Sequence, residues 1–294
     1  MIQNSSIKRS KVKLRRIINK ISSPILSSYY FGQIRGPKQW GGINYDAENS
    51  NVLFQMLVKN GIETKSIKID IDDYLQYFEI ADYANRYPNY YKNSINEKSI
   101  EHYIAQKILH LSSEDTYIDI ASETSPVPEI YQRLYGCETY AQDLAFDPGL
   151  NGNLIGSDAA SMPVPDGFAT KMALHCSFEH FEQDSDIGFI QECFRVLAPK
   201  GMVVIVPLYL NKFYAIQTDP MVSVPSKVDF ETNVPICCVN GWGNRHGRFY
   251  DPKQLKTRII DQFPELKFEV ICVTNIKEVH SSCYAHFVLT VEKP

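Results

Sequence analysis

The chain has 294 residues, 44% of them hydrophobic and 22% charged, which supports a large core in one or two domains and excludes a disordered or fibrous protein. Its net charge of −4 is unevenly spread: nine Lys or Arg and no acid precede Asp46, leaving 21 of the 30 bases against 34 acids, an acidic body poorly suited to nucleic acid. Seven cysteines without a C-x-x-C pair point to reduced thiols in a cytoplasmic protein rather than disulfides or a metal site, and the longest apolar run, Met202 to Leu210, is too short to cross a bilayer.

Within the basic arm, Leu14, Ile17, Ile18, Ile21 and Ile25 recur at helical spacing, with Lys11, Arg15, Arg16 and Lys20 around them. Such a helix can make a peripheral membrane contact through residues 8–26, dock on the acidic body, or fray in solvent. The acid-free, Ser-rich start also resembles an organellar transit peptide, against which the aromatics Tyr29, Tyr30, Phe31 and Trp40 argue for early ordered structure. From Gly41 to Asn96 the chain is rich in Tyr, Asn, Asp and Lys, and Tyr74, Tyr77, Phe78, Tyr83, Tyr87, Tyr90 and Tyr91 form a dense aromatic cluster. The cluster either packs an irregular cap or lines a substrate pocket. Residues 1–97 are therefore read as an arm and cap, and residues 98–294 as the main domain.

Ser99 to Leu111 is a helix with Ile100, Tyr103, Ile104, Ile108 and Leu111 on one face. It leads into a strand at Thr116, and Ser125-Pro126 then has the signature of a helix start. A strand that ends at a helix N-terminus offers free backbone N–H groups to a polar ligand, with the Asp119 carboxylate beside them. A second strand ends at Asp143, where an acid can hold ribose hydroxyls. Asn153 to Ser157 is a short third strand and Ala169 to Leu174 a fourth, followed by His175-Cys176-Ser177-Phe178-Glu179-His180. A helix with Ile187, Ile190, Phe194 and Leu197 on one face leads to an apolar fifth strand from Met202, and Phe268 to Val273 and His286 to Val291 are the last two. This alternation predicts an α/β fold, a doubly wound, mostly parallel sheet with its ligand at the carboxyl ends of the strands.

Three segments carry a resemblance: I-G-S-D-A-A-S-M-P-V-P-D-G-F-A at 155–169, S-F-E-H-F at 177–181, and F-R-V-L-A-P-K-G-M-V-V-I-V at 194–206. In this order and spacing they resemble the class I S-adenosylmethionine-dependent methyltransferases, in particular the type 11 group, over roughly Ser99 to Leu210. R-F-Y-D-P-K-Q-L at 248–255 is similar to that family's later helix start. The resemblance implies a seven-stranded Rossmann-like sheet with an N-terminal extension, its last two strands a hairpin at the sheet edge. It also implies S-adenosylmethionine as cofactor. Asp119 would close the first motif with Ala121, Ser122 and Glu123, Asp143 and Leu144 would meet the ribose, Asp158 and Ala159 the adenine, and His175 the methionine part. The departure is the first motif, where Ala121 and Glu123 stand in place of glycines.

Methyl transfer from an activated sulfonium asks a protein to align a nucleophile and, for a hydroxyl, to remove a proton. His175, Glu179 and His180 are placed for that role after the fourth strand, and His246 is a further candidate. The Pro-rich stretch after Tyr209 is read as a lid-like insertion over about 209–250, with Tyr209, Arg245 and Arg248 as candidate substrate-binding residues. The reading is of a small-molecule methyltransferase, with O-methylation of a sugar or glycan precursor favoured. A non-catalytic methyltransferase-like scaffold is the alternative, raised by the missing glycines; a nicotinamide-dependent oxidoreductase is disfavoured by the absence of G-x-G-x-x-G. The acceptor and the oligomeric state are not legible.

Overall fold

Apolar runs such as Met202–Val206 suit a sheet covered on both faces, and the segments that carry them pair side by side. The computed structural model describes residues 23–43 and 47–294. The central strands are β1 (Thr116–Ile120), β2 (Glu138–Asp143), β3 (Leu154–Gly156), β4 (Ala169–His175), β5 (Leu197–Val206), β6 (Lys267–Val273) and β7 (Phe287–Glu292). They lie in the order β3-β2-β1-β4-β5-β7-β6, with β7 antiparallel to both neighbours. The chain winds outward from β1 to β3, then returns to β4 and winds the other way. Its reversal falls between β1 and β4, where Asp119 is in register with Ala173.

Two short strands extend this sheet beyond the expected seven to nine: Thr64–Ile67 pairs in parallel with β6, and Gly149–Asn151 pairs antiparallel with β3. The closing hairpin is thus not at the edge as expected, because Thr64–Ile67 covers the open side of β6.

The longer helices of the larger unit are α1 (Ala47–Lys59), α2 (Ile71–Ala81), α3 (Ile95–Leu109), α4 (Val127–Tyr135) and α5 (Ser185–Val196). α4 begins one residue later than expected, with Pro126 rather than Ser125 as its N-cap; Ser125 Oγ accepts the Val127 N–H at 3.2 Å, and Gly136 ends the helix at φ 72°. In α5 the buried stripe is Asp186, Phe189, Ile190, Cys193 and Val196, rotated from the expected face. Leu197 already belongs to β5, and Phe194 is exposed beneath the Lys293 ammonium, 4.8 Å from its ring. The core packs Ile100, Tyr103, Ile104, Tyr117, Ile130 and Tyr131 against Ala173, Val204 and Ile271, each such side chain contributing about 1.5–3 kcal/mol. The aromatic cluster is largely part of this packing, with Tyr74 and Tyr77 of α2 edge-on or tilted against Tyr103 at 5.5 and 5.7 Å.

Contacts divide the chain into two units, one of residues up to Asn44 with Tyr214–Phe249, the other of Tyr45–Phe213 with Tyr250–Pro294. This division differs from the expected boundary at 97/98. In the smaller unit Lys38–Trp40, Ile236–Cys238, Ala215–Thr218 and Gly247–Phe249 form a four-stranded sheet in that order. Most of the stretch read as a lid therefore has its own sheet, whose strands are too short to show a period in sequence. The basic segment over 8–22 lies outside the described residues. Among the described residues, no helix is long and apolar enough to cross a membrane.

Candidate functional site

At the β1/β4 reversal two neighbouring strands end with their following loops leaving in opposite directions, which opens the crevice where doubly wound sheets bind ligands. Asp119 and His175 lie at the carboxyl ends of these two strands. The His175 Nδ1–H donates to Asp119 Oδ1 at 2.9 Å, and the Tyr117 hydroxyl donates to the same oxygen at 3.2 Å. The His175 side chain is only 6% exposed, yet its Nε2 has no hydrogen-bond partner among the described residues, nor has Asp119 Oδ2. A histidine whose Nδ1 proton is held by a carboxylate carries its lone pair on Nε2, ready to take a proton. Cys176 follows at φ 56°, a left-handed turn that ends the strand abruptly.

The β1 loop retains a glycine-type backbone without glycines. Ala121 sits at φ 52° and Glu123 at φ 48°, so the substituted positions keep the left-handed conformation at a steric cost. The Glu123 side chain is exposed and its N–H donates to Asp143 Oδ2 at 2.8 Å, which ties the loop to the end of β2. Gln142, unremarked in the sequence, is a second tie. Its side-chain oxygen accepts the Ala121 N–H at 3.1 Å, its amide donates to the Ser157 carbonyl, and its own carbonyl accepts the Ser122 N–H. One buried side chain thus joins the loops after β1 and β3.

Asp143 lies at the tip of β2, its other oxygen accepting the Ala145 N–H, and Leu144 is 75% exposed beside it. Asp158 is exposed and turns the chain by accepting the Ala160 N–H at 2.9 Å, while Ala159 is buried. The segment beyond is fastened by α5: Arg195 donates to the carbonyls of Met162 and Val164, and Glu192 accepts the Met162 N–H. The arginine of the F-R-V-L segment is thus a strut for the 158–166 loop. Its carboxylate partner Glu192 holds the guanidinium firmly charged, outweighing the cost of partial burial. Ser122 Oγ and Ser157 Oγ are buried and have no partner among the described residues.

Sequence reasoning missed the polar stripe of α3. The apolar face of this helix packs as expected, but Glu97, Lys98, Glu101 and His102 are buried as well. Nothing in the sequence separates such a stripe from a solvated face, except that it immediately precedes the β1 strand. Lys98 Nζ donates to Glu101 Oε2 at 3.0 Å, and Glu97 Oε2 accepts the Tyr284 N–H at 2.8 Å. Burial pushes the Glu97 carboxyl up to about 8, with the nearby Glu101 adding to the shift. Burial, His175 and Lys98 together hold His102 well below the usual imidazole range, and its ring meets that of His175 edge-on at 4.8 Å.

Of the other candidates, Glu179 is buried in the turn Phe178–His180, where its Oε1 accepts the Cys176 thiol at 3.3 Å and lies 3.5 Å from His180 Nε2. Tyr209 places its hydroxyl 3.4 Å from Cys176 Sγ and its ring against Tyr284. Burial, and then the nearby Glu179 and Glu101, push the Cys176 thiol well up, which disfavours the thiolate. His246, Arg245 and Arg248 belong to the smaller unit. There His246 is buried and Arg245 exposed, and the Arg248 guanidinium is fully buried against Glu231 rather than open to a substrate anion. Among the described residues, no group of His, Cys, Asp or Glu could hold a metal ion.

Comparison with known proteins gives one sequence match and several structural ones. Residues 118–205 match the family model described as a methyltransferase domain. No curated protein matches the chain. Among solved structures, 1,6-didemethyltoxoflavin-N1-methyltransferase of Burkholderia thailandensis is 9% identical, covers 78% of this chain and 92% of its own, and gives a TM-score of 0.46. The YcgJ protein of Bacillus subtilis is 13% identical over 66% of this chain and 98% of its own, with a TM-score of 0.42. Geranyl diphosphate C-methyltransferase of Streptomyces coelicolor A3(2) is 9% identical over 67% and 76%, also at 0.42.

Proposed function

We propose that this chain, a class I S-adenosylmethionine-dependent methyltransferase by the domain at residues 118–205, methylates a hydroxyl of a small molecule, a sugar or glycan precursor, with His175 taking the proton. The observation that carries the reading is the buried Asp119–His175 pair at the strand reversal, with Nε2 left without a partner among the described residues.

The residues present fit the cofactor. Asp119 Oδ2, Ser122 Oγ and Ser157 Oγ are buried polar atoms without partners among the described residues, in a crevice where an ammonium, a ribose and a purine need hydrogen bonds. Asp119 and the Ala121–Glu123 backbone would hold the methionine part, Asp143 and Leu144 the ribose, and Asp158 and Ala159 the adenine. When bound, S-adenosylmethionine would supply an activated methyl group for the acceptor oxygen, with its neutral thioether as the leaving group. His175 Nε2 takes the hydroxyl proton. Asp119 keeps the imidazole in the tautomer with its lone pair on Nε2 and stabilises the cation that forms. Tyr117 fixes the carboxylate from below through its own hydrogen bond.

The test is His175→Asn, whose amide can keep an N–H toward Asp119 but has no base in place of Nε2. S-adenosylhomocysteine release should fall by about 100- to 10,000-fold, a general base's usual contribution. Calorimetric affinity for the cofactor should change by less than about three-fold, under 1 kcal/mol. Undiminished turnover in this variant removes His175 from the mechanism.

A further inference from the structure

In the smaller unit, residues 23–33 are helical and pack through one side. Ser23 and Ser27 donate from their hydroxyls to Asn240 Oδ1 at 3.1 and 2.7 Å, and Phe31 and Ile34 pack with Ile236 and Cys238. The other side faces solvent with Ile25, Leu26 and Tyr29, which are 69%, 40% and 61% exposed. Trp40, stacked on Phe31 at 4.5 Å, is 46% exposed as well. No residue from 23 to 33 carries a charge, so the outward side lacks the ionised groups that ordinarily solvate the outer face of a packed helix. A helix that is apolar toward its own unit and apolar outward calls for a second apolar phase.

Charge decides which phase that is. Seven bases between Lys8 and Lys20 precede the helix, Arg35 and Lys38 follow it, and no acid occurs before Asp46. The Lys38 ammonium stands 5.2 Å from the centroid of the Phe31 ring, which brings a cation to the exposed aromatic pair itself. A second copy of the same face would set these like charges against one another, and a wholly polar anion would leave Ile25 and Leu26 in water. We propose that residues 23–33, with the basic segment before them, seat the chain on an anionic phospholipid surface, Ile25, Leu26 and Tyr29 entering the boundary between headgroups and acyl chains. The bases then meet lipid phosphates, and the rings of Tyr29 and Trp40 lie at headgroup level, where one end is apolar and the other wet. In the sequence Leu14, Ile17, Ile18 and Ile21 are interleaved with the bases, so that apolar and cationic groups alternate along the same arm. The contact needs neither the cofactor nor His175.

The full-length protein is to be sedimented with sucrose-loaded vesicles, either of phosphatidylcholine alone or of phosphatidylcholine with about 30% phosphatidylglycerol. The anionic vesicles should bind at least about ten-fold more tightly than the neutral ones, and raising the salt from about 0.1 M to about 0.5 M should remove most of that difference. Tryptophan emission should shift to the blue on the anionic vesicles, as Trp40 leaves water. Ile25→Gln/Leu26→Gln changes two outward side chains and should weaken binding about 10- to 100-fold, with Tm unchanged. A second variant, Arg15→Gln/Arg16→Gln/Lys20→Gln, leaves the helical residues 23–33 intact and should weaken binding to the anionic vesicles by a similar factor. Absence of binding to the anionic vesicles, equal binding to both kinds, or binding unmoved in either variant overturns the proposal. So does a dimer in gel filtration with light scattering that Ile25→Gln/Leu26→Gln dissolves, which would assign this face to a second copy of the chain.

Discussion

Restoring glycine at Ala121 and Glu123 should make the protein more stable. Both residues hold a left-handed backbone, at φ 52° and 48°, which costs a side-chain-bearing residue about 1–2 kcal/mol. Glycine removes that strain but loosens the unfolded chain, which takes back about 0.4–1 kcal/mol per site. The bonds that shape the loop come from backbone N–H groups, Ala121 to Gln142 and Glu123 to Asp143, and survive the exchange. The double variant Ala121→Gly/Glu123→Gly should therefore gain about 1–2 kcal/mol, and scanning calorimetry should find Tm raised by about 2–8 °C. A Tm that is unchanged or lower would refute the idea that the loop keeps a glycine conformation under strain.

Asp119→Asn should spare the fold and weaken the cofactor. Both hydrogen bonds to Asp119 reach Oδ1, so the amide can keep its oxygen there and present its NH2 where Oδ2 stood. Titration calorimetry should show S-adenosylmethionine bound about 10- to 100-fold more weakly, since the ammonium then meets a donor. Gln142→Leu breaks both side-chain ties between the loops after β1 and β3, and urea unfolding should report a loss of about 2–3 kcal/mol. Glu97 has a carboxyl raised by burial to about 8 in the folded chain, so its contribution to stability is complete below the ordinary glutamate range and is lost as pH rises through about 8. Between pH 6 and 9 Tm should accordingly fall further in the unaltered protein than in Glu97→Gln.

The parts of the fold that were legible rested on long or strongly patterned segments. The apolar run from Met202 and the Gly136 stop of α4 were both dictated by local chemistry, and the order of segments around Asp158, Glu179 and Arg195 carried the topology. What escaped was decided by tertiary context. The strand Thr64–Ile67 has four residues and exists because β6 offers it an open edge. The three-residue strands at Ile236 and Gly247 likewise owe their form to pairing rather than to propensity. In the site, Asp119 and His175 could be named, but not that they bond to one another. Gln142 carries no charge and belongs to no motif, and the Glu97–His102 stripe resembles a solvated helix face until α3 is seen buried on all sides. The absent glycines at Ala121 and Glu123 pointed toward a lost site; the backbone there is left-handed, the region that glycine favours.

A crystal structure with S-adenosylhomocysteine would examine the crevice over β1 and β4 itself. The ribose should lie against Asp143, the adenine against Asp158 and Ala159, and the sulfur beside His175, with the Glu123 side chain still turned to solvent. Product bound elsewhere on the chain, or Glu123 folded into the crevice in its place, would contradict the assignment.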